Sequence, residues 1–498
     1  MDNIKNSMPS RNYVLFMLLT LFFSSSIYGS DLYIGRASAD ITPELPVALM
    51  GQFHLRIARE VVNPLTASAI ALETKSSNQT EEMAIFVSCD LIWVSNLIIS
   101  QVRDAVVKRI PGFDSNKIII NATHTHTGPV IEDESDQDAY FYYNIPKQGV
   151  TQVSEYRSFL VAQLTDIVVK AWTTREKGSM TWGIRRAAIP YNRRVVYKDG
   201  EAVMYGKMAL PNFDNIEGYE DHDVQSLFYW NLSGTLLGMS INVACPAQIQ
   251  ESDNRIDADY WHSVRQKLGD IYGTDVVINS WAGAAGDQSP RAIYRKQALQ
   301  RMIDLSEEDR TEDVAQRIVE AVTKTHDVVK KDAQTDLVIK HSMEFLSLPK
   351  RIIAISEYVE ARQTMVELQR QITADPNKSD QHYVRMTWNQ SIVERYEAQK
   401  LNPNPYFQTE VHVLRIGDIA IWTNQFELFT DYGIQVQVRS KALQTFAIQL
   451  AGPGSYLPTE KAVAGGGYSA VCQSNIAGPE GGQILVEYIL ESIDEFWN

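Results

Sequence analysis

Cysteine is scarce. The 498 residues contain only Cys89, Cys245 and Cys472, too few for a disulfide scaffold to stand in for a core. Three thiols allow at most one bridge, so the chain relies on buried apolar surface, for which this length is ample. Glycine and proline are sparse as well, at 27 and 18 residues. With no internal repeat, that excludes collagen-like and low-complexity chains. Basic charge is in deficit: 46 Lys and Arg stand against 61 Asp and Glu, a net charge of -15. An acidic chain without a basic run is a poor grip for phosphate backbones, so a nucleic-acid partner is not expected. Long apolar runs are missing too. The longest, YVLFMLLTLFF at 13–23, falls well short of the ~20 residues that span a bilayer.

That run has a different meaning. Lys5 and Arg11 precede it, and the small polar stretch SSSIYGS follows it. This is the layout of a secretory signal peptide, over residues 1–30, with cleavage after Ser26 or near Ser30. The expected protein is therefore exported, to the periplasm or as a secreted protein, with 31–498 as its working part.

Along 31–498, short apolar runs alternate with longer periodic segments. MAIFVS (83–88), KIIIN (117–121), LLGMSINVAC (236–245), VVINSWAG (276–283) and FAIQLAG (446–452) read as buried strands. EVHVLRIGDIAIWTN (410–424) reads as a strand pair turning at Gly417-Asp418. Residues 95–109 and 155–172 predict helices, the second with Leu160, Leu164, Ile167, Val168 and Ala171 on one face. Residues 292–332 read as a helical zone and 354–400 as a helical hairpin. The expected fold is α/β, a mixed β-sheet flanked by helices in one large unit, 31–498, with no clean internal boundary.

Chemistry concentrates in five places. NATHTHTGP (121–129) follows a strand and puts His124 and His126 two apart, on one face of extended chain. Two imidazoles at the end of a buried strand suit a metal or acid–base site. Asn192-Arg193-Arg194 offers a guanidinium that could fork onto a carbonyl. AAGDQSPR (284–291) carries Asp287 and Ser289 without a nucleophile elbow. It reads as a turn capping a helix that starts near Pro290. Glu427 stands among Phe426, Leu428 and Phe429, where a buried carboxylate needs a partner; a helix-start glutamate in solvent explains it equally well. GSYLPTEKAVAGGGYSA (454–470) pairs Tyr456 and Tyr468 across a glycine-rich loop.

In this order these pieces resemble the neutral/alkaline (non-lysosomal) ceramidase family, from about residue 34 to 480. IGRASADITPELPVALMGQF (34–53) is similar to the family's opening. NATHTHTGP resembles its A-T-H-T-H-S-x-P signature, Asn192-Arg193 its arginine motif, and AGDQSP its A-G-D-V-S-P. Glu427 matches its glutamate, and Tyr456 and Tyr468 keep the spacing of its two tyrosines. The resemblance implies one zinc ion per chain, held by His124, Glu427 and Tyr456, with His126, Arg193 and Tyr468 as catalytic residues beside it. It implies hydrolysis of the amide of a ceramide-type lipid by metal-activated water, with Arg193 and Tyr468 on the oxyanion and His126 moving a proton.

Three departures stand out. The family's second histidine ligand, in an F-A-T-H strand end, has no counterpart in Asn242-Val243-Ala244-Cys245-Pro246. Cys245 is the adjacent candidate for the vacancy; His126, His222 and Glu251 are others, and loss of the metal is the remaining possibility. The family's P-G-G is replaced by Pro129-Val130-Ile131-Glu132 and the acidic stretch EDESDQD (132–138). No immunoglobulin-like C-terminal domain is expected. The leading expectation is an exported zinc-dependent hydrolase of ceramide-type lipids. The acidic stretch and the missing histidine favour an alternative on the same scaffold, a hydrolase of polar substrates such as a polysaccharide or a sugar ester or amide; helices that show no exposed amphipathic stripe with basic flanks for a membrane point the same way. A non-catalytic binding protein is a third possibility.

Overall fold

The computed structural model describes residues 30–77, 79–136, 139 and 141–498. The expected signal segment therefore lies outside the described residues apart from Ser30. The architecture is a helix–sheet–sheet–helix stack. An eight-stranded mixed sheet runs, edge to edge, through Val277–Ala282, Leu236–Val243, Asp223–Asn231, Glu176–Arg186, Asp31–Asp40, Thr66–Ser76, Gln79–Cys89 and Ile118–Ala122. A four-stranded mixed sheet runs through Ile339–Pro349, Tyr406–Ile416, Ile419–Thr423 and Gln444–Ile448. The expected mixed α/β unit is thus built on two stacked sheets rather than one.

Side-chain alternation explains the stacking. Along Gln79–Cys89, Ala84 and Phe86 point to the smaller sheet, where they join Leu32, Trp281, Ile421 and Phe446. Ile85, Val87 and Cys89 point the other way, into the layer formed by helices Asn96–Arg109 and Val153–Thr173. Helices Tyr260–Tyr272 and Arg310–Val329 cover the rest of that face. Helices Thr430–Arg439 and Pro479–Trp497 cover the outside of the smaller sheet.

Within these two sheets three strand pairs are parallel, and each is bridged by a helix. Gln79–Cys89 pairs with Ile118–Ala122 across Asn96–Arg109. Leu236–Val243 pairs with Val277–Ala282 across Tyr260–Tyr272. In the smaller sheet, Ile419–Thr423 pairs with Gln444–Ile448 across Thr430–Arg439. Such crossovers direct the chain leaving each parallel strand to one end of its sheet, where α/β folds place ligands.

The helical zone resolves into Lys296–Ser306 and Arg310–Val329. The helix expected near Pro290 starts six residues later. The hairpin is Ile355–Ala374 and Ser379–Leu401. All three cysteines are free and buried. Among the described residues, no helix is long and apolar enough to cross a membrane.

Candidate active site

His124, His126, Glu427, Tyr456 and Tyr468 line one small cavity of about 40 Å³, together with Gly51, Phe53, Trp93 and Phe141. That is room for a few water-sized atoms. The residues arrive on the loops that leave the parallel strands. The strand Ile118–Ala122 runs out into Thr123 and His124. His124 then adopts a left-handed backbone, φ 67°, a conformation that costs a non-glycine residue energy and is held here by its surroundings. Its backbone N–H donates to Leu91 O at 2.9 Å, and its ring Nδ1 lies 2.9 Å from Ile92 O. A carbonyl only accepts, so Nδ1 carries the hydrogen and Nε2 turns to the cavity.

Glu427 and Tyr456 follow the two parallel strands of the smaller sheet and sit directly opposite each other in a short parallel pairing. Gly286 makes this possible. A Cβ there would stand 2.3 Å from Glu427 O, so only glycine lets the AAGDQSP loop approach. The same loop positions the arginine. Gly286 O accepts from Arg193 Nη2 at 3.0 Å, and Asp287 O accepts from the Arg193 backbone N–H at 2.9 Å. The Asp287 carboxylate receives Asn192 Nδ2 at 2.7 Å and Thr430 N and Oγ1 at 2.9 and 2.7 Å. Asp287 is therefore a brace between the arginine strand and the helix after Glu427. Ser289 accepts only the backbone N–H of Arg291, at 3.2 Å, and is fully buried.

His124 Nε2 stands 3.3 Å from Glu427 Oε2. Arg193, which is fully buried, donates from Nη2 to the Tyr456 hydroxyl at 3.1 Å and lies 3.9 Å from the same carboxylate oxygen. Burial pushes the Glu427 carboxyl up, but His124, Arg193 and the Tyr456 hydroxyl outweigh it and hold it below its ordinary value. Burial and the Glu427 charge push the Tyr456 phenol well up. Tyr468 crosses Tyr456 edge-on at 5.6 Å and is 38% exposed, so it stands at the mouth. Phe53 packs there between Tyr468 at 5.6 Å and Trp388 at 5.0 Å.

Cys245 is not brought to the cavity. It packs with Val224, Phe228, Tyr260, Trp261 and Leu268 in the layer between sheet and helices. Burial and the neighbouring Asp259 push its thiol well above the ordinary value, against the thiolate that a metal requires. His222 sits with Glu220 at 3.5 Å, and Glu251 with Arg291 at 2.9 Å; neither lines the cavity. The group that reaches in after Leu236–Val243 is Gln248, which composition and motif gave no reason to select. Its Oε1 accepts from Arg193 Nη1 at 3.1 Å, and its Nε2 donates to His126 Nε2 at 3.2 Å. His126 Nδ1 in turn donates to Gly51 O at 2.9 Å. Burial, with His124 and Arg56 nearby, pushes His126 well down, so its ring is neutral. Arg56, also unforeseen, pins the His126 carbonyl at 2.6 Å.

Of the acidic stretch, residues 132–136 are described, and of these Glu132 and Asp136 turn inward. Glu132 accepts from Trp93 Nε1 at 3.0 Å, and Asp136 from Arg157 Nη2 at 2.6 Å. Glu134 accepts from the Tyr383 hydroxyl at 2.6 Å. Glu132 thus braces Trp93 of the aromatic wall.

The neutral ceramidase of Pseudomonas aeruginosa superposes with a TM-score of 0.64 at 15% identity, covering 93% of this chain and 74% of that one. A ceramidase complexed with C2 gives 0.64 at 14%, covering 93% and 75%. The fold is that of neutral ceramidase. No protein-family model and no curated protein matches the sequence. The fold is thus shared at 14–15% sequence identity.

Proposed function

We propose that this chain is an exported metal-dependent amidohydrolase of ceramidase type, cleaving the amide of an N-acyl lipid. One observation carries the reading. His124 Nε2 and a Glu427 oxygen face each other at 3.3 Å while His124 Nδ1 is committed to Ile92 O. Two such groups at that separation share a cation, either a proton or a metal. For a tetrahedral ion with ligands at about 2.0–2.2 Å, neighbouring donors lie about 3.3–3.6 Å apart. Among the described residues, no set of three or more His, Cys, Asp and Glu side chains is arranged around a metal position. The donor set that fits is two such residues plus a phenol: His124, Glu427 and Tyr456. With three protein ligands, a position is left for water, as catalytic zinc sites require. Zinc bound there would supply a water of lowered pKa and polarise the carbonyl.

The chain's own groups then have separate tasks. The aromatic wall of Phe53, Trp93, Phe141 and Tyr468 excludes water and suits an apolar acyl chain. Arg193, fixed by Gly286 O and Gln248, holds a positive charge against the Tyr456 oxygen and towards a developing oxyanion. Tyr468 offers a hydroxyl from the mouth. The neutral ring of His126, held at Nε2 by Gln248 and at Nδ1 by Gly51 O, is a positioning group that keeps Gln248 and Arg193 in register beside the reacting carbonyl. Glu132 and Asp136 are committed to Trp93 and Arg157, which weakens the case for a polar saccharide substrate.

The test is metal analysis of the purified chain with a panel of N-acyl lipids and sugar amides. About one zinc per chain is expected, lost in His124→Ala and Glu427→Gln, with fatty acid released from the lipids alone. A metal-free chain whose hydrolysis ignores chelators sinks the zinc assignment. Hydrolysis of sugar amides only sinks the substrate assignment.

A further inference from the structure

A second cavity, of about 290 Å³, lies between helix Lys296–Ser306, the start of helix Arg310–Val329 and the loop Ser289–Ala292. It shares no lining residue with the first. Tyr205 stands between them, hydrogen-bonded to Arg193 on one side and under the Arg291 guanidinium, 5.2 Å from its ring, on the other.

Its charges are unbalanced. Arg291, Lys296, Arg310 and Arg317 face it, against Asp313 alone. Arg317 uses Asp313 at 2.9 Å, and Arg291 uses Glu251 at 2.9 Å from behind. Arg310 donates to the Pro290 carbonyl. Among the described residues, neither Arg310 nor Lys296 has a carboxylate within 4 Å. Burial and the repulsion of Arg291 push Arg310 below its ordinary value. A half-buried guanidinium in this state calls for an anion.

The other walls are apolar: Ile189, Val314, and Leu299 and Ile303, one turn apart on helix Lys296–Ser306. That helix buries none of its residues. Its apolar side faces the cavity through Leu299 and Ile303 while Met302 and Leu305 remain exposed. An inorganic anion would satisfy the cations and leave this wall uncovered. An aliphatic molecule would do the reverse.

We propose that this cavity binds a free amphiphilic monoanion, its carboxylate or sulfate head on Arg310 and Lys296 and its short alkyl stem against Leu299, Ile303 and Val314. The site is separate from the catalytic cavity and does not depend on the reading of that cavity.

Calorimetric titration of the full chain with hexanoate, hexyl sulfate, hexanol and inorganic sulfate tests it. One hexanoate or hexyl sulfate per chain is expected, with hexanol and sulfate each at least about tenfold weaker. Arg310→Met is expected to weaken hexanoate by about tenfold or more. Lys296→Glu, on an exposed residue that folding does not need, serves if Arg310→Met does not fold and is expected to have an effect of the same sign. Ile303→Trp, which fills the cavity without touching a charge, is expected to block binding, and Glu427→Gln to leave it unchanged. Absence of saturable binding, equal affinity for hexanol, or loss in Glu427→Gln with retention in Lys296→Glu would overturn the proposal.

Discussion

At the scale of single residues, the site is organised by Gln248. A carboxamide accepts at its oxygen and donates at its nitrogen, and here both ends meet a complement. Oε1 takes Arg193, which fixes the amide's orientation. That leaves Nε2 to donate to His126 and hold the imidazole in the tautomer with hydrogen on Nδ1. Gln248→Leu removes both contacts in a place water does not reach. We expect a stability loss of about 1–3 kcal/mol and a fall in turnover of roughly 10–100-fold, as His126 and the oxyanion cation lose their register. Three positions away, Cys245→Ala is expected to cost about 1 kcal/mol of packing and leave turnover and metal content unchanged. Thermal unfolding and lipid-amide hydrolysis read both. Wild-type turnover in Gln248→Leu would remove it from the machinery. The histidine pair, Glu427 and the two tyrosines were legible because histidine is rare and the motifs are local. Gln248 was not, because glutamine carries no chemical signature until its neighbours are known. Cys245 drew attention as the nearest soft ligand, but a two-residue period put its side chain on the helix-facing side of the sheet.

At the scale of elements, the parallel strands were the readable part. Ile118–Ala122, Leu236–Val243 and Val277–Ala282 are buried almost without interruption because both faces are covered, and each opens on an apolar run. The central antiparallel strands were missed for a packing reason. Thr66–Ser76 presents Ala67, Ala69 and Ala71 to the helix layer, and a Cβ on Gly35 of the neighbouring strand would meet Ala171 O at 1.8 Å. Small residues bring helix Val153–Thr173 close, and small residues do not announce a strand. One contact ties the helix layer to the smaller sheet. Arg103 of helix Asn96–Arg109 forks onto Glu410 of Tyr406–Ile416 at 2.6 and 2.7 Å, and His412 Nε2 lies 2.7 Å from the same carboxylate. Burial would raise the Glu410 carboxyl, but Arg103 and His412 win and bring it down to about 2. A carboxyl depressed in the folded state stabilises fully above its unfolded value, near 4.5, and loses that contribution as pH falls through about 2. The gap corresponds to ~3 kcal/mol. Urea unfolding at pH 5, 4 and 3 should therefore show Glu410→Gln less stable at pH 5 and with a shallower acid decline. An unchanged slope would mean the ion pair is also formed in the unfolded chain.

At the scale of the whole molecule, the site lies across the two sheets. His124 and His126 extend from the larger sheet; Glu427 and Tyr456 extend from the smaller one, and Arg193 and Gly286 close the ring between them. This explains why motifs scattered from 124 to 468 work together, and why no single stretch of sequence displays the site. It also has a thermodynamic consequence. An ion held by His124, Glu427 and Tyr456 would bind only when both sheets are folded and docked, so its binding energy would add to the stability of the stack as a unit. At a free concentration one hundred times the dissociation constant, that is about 2.7 kcal/mol. Unfolding entropy for a chain of this length is of order 1 kcal/mol per degree, so zinc should raise the melting temperature by about 2–3 °C. Calorimetry on the chelated chain, with and without added zinc, measures this directly. The shift should appear in one transition and vanish in Glu427→Gln. A shift that persists in Glu427→Gln places the ion elsewhere, whereas two transitions of which only one moves would show that the sheets unfold separately and that the ion does not join them.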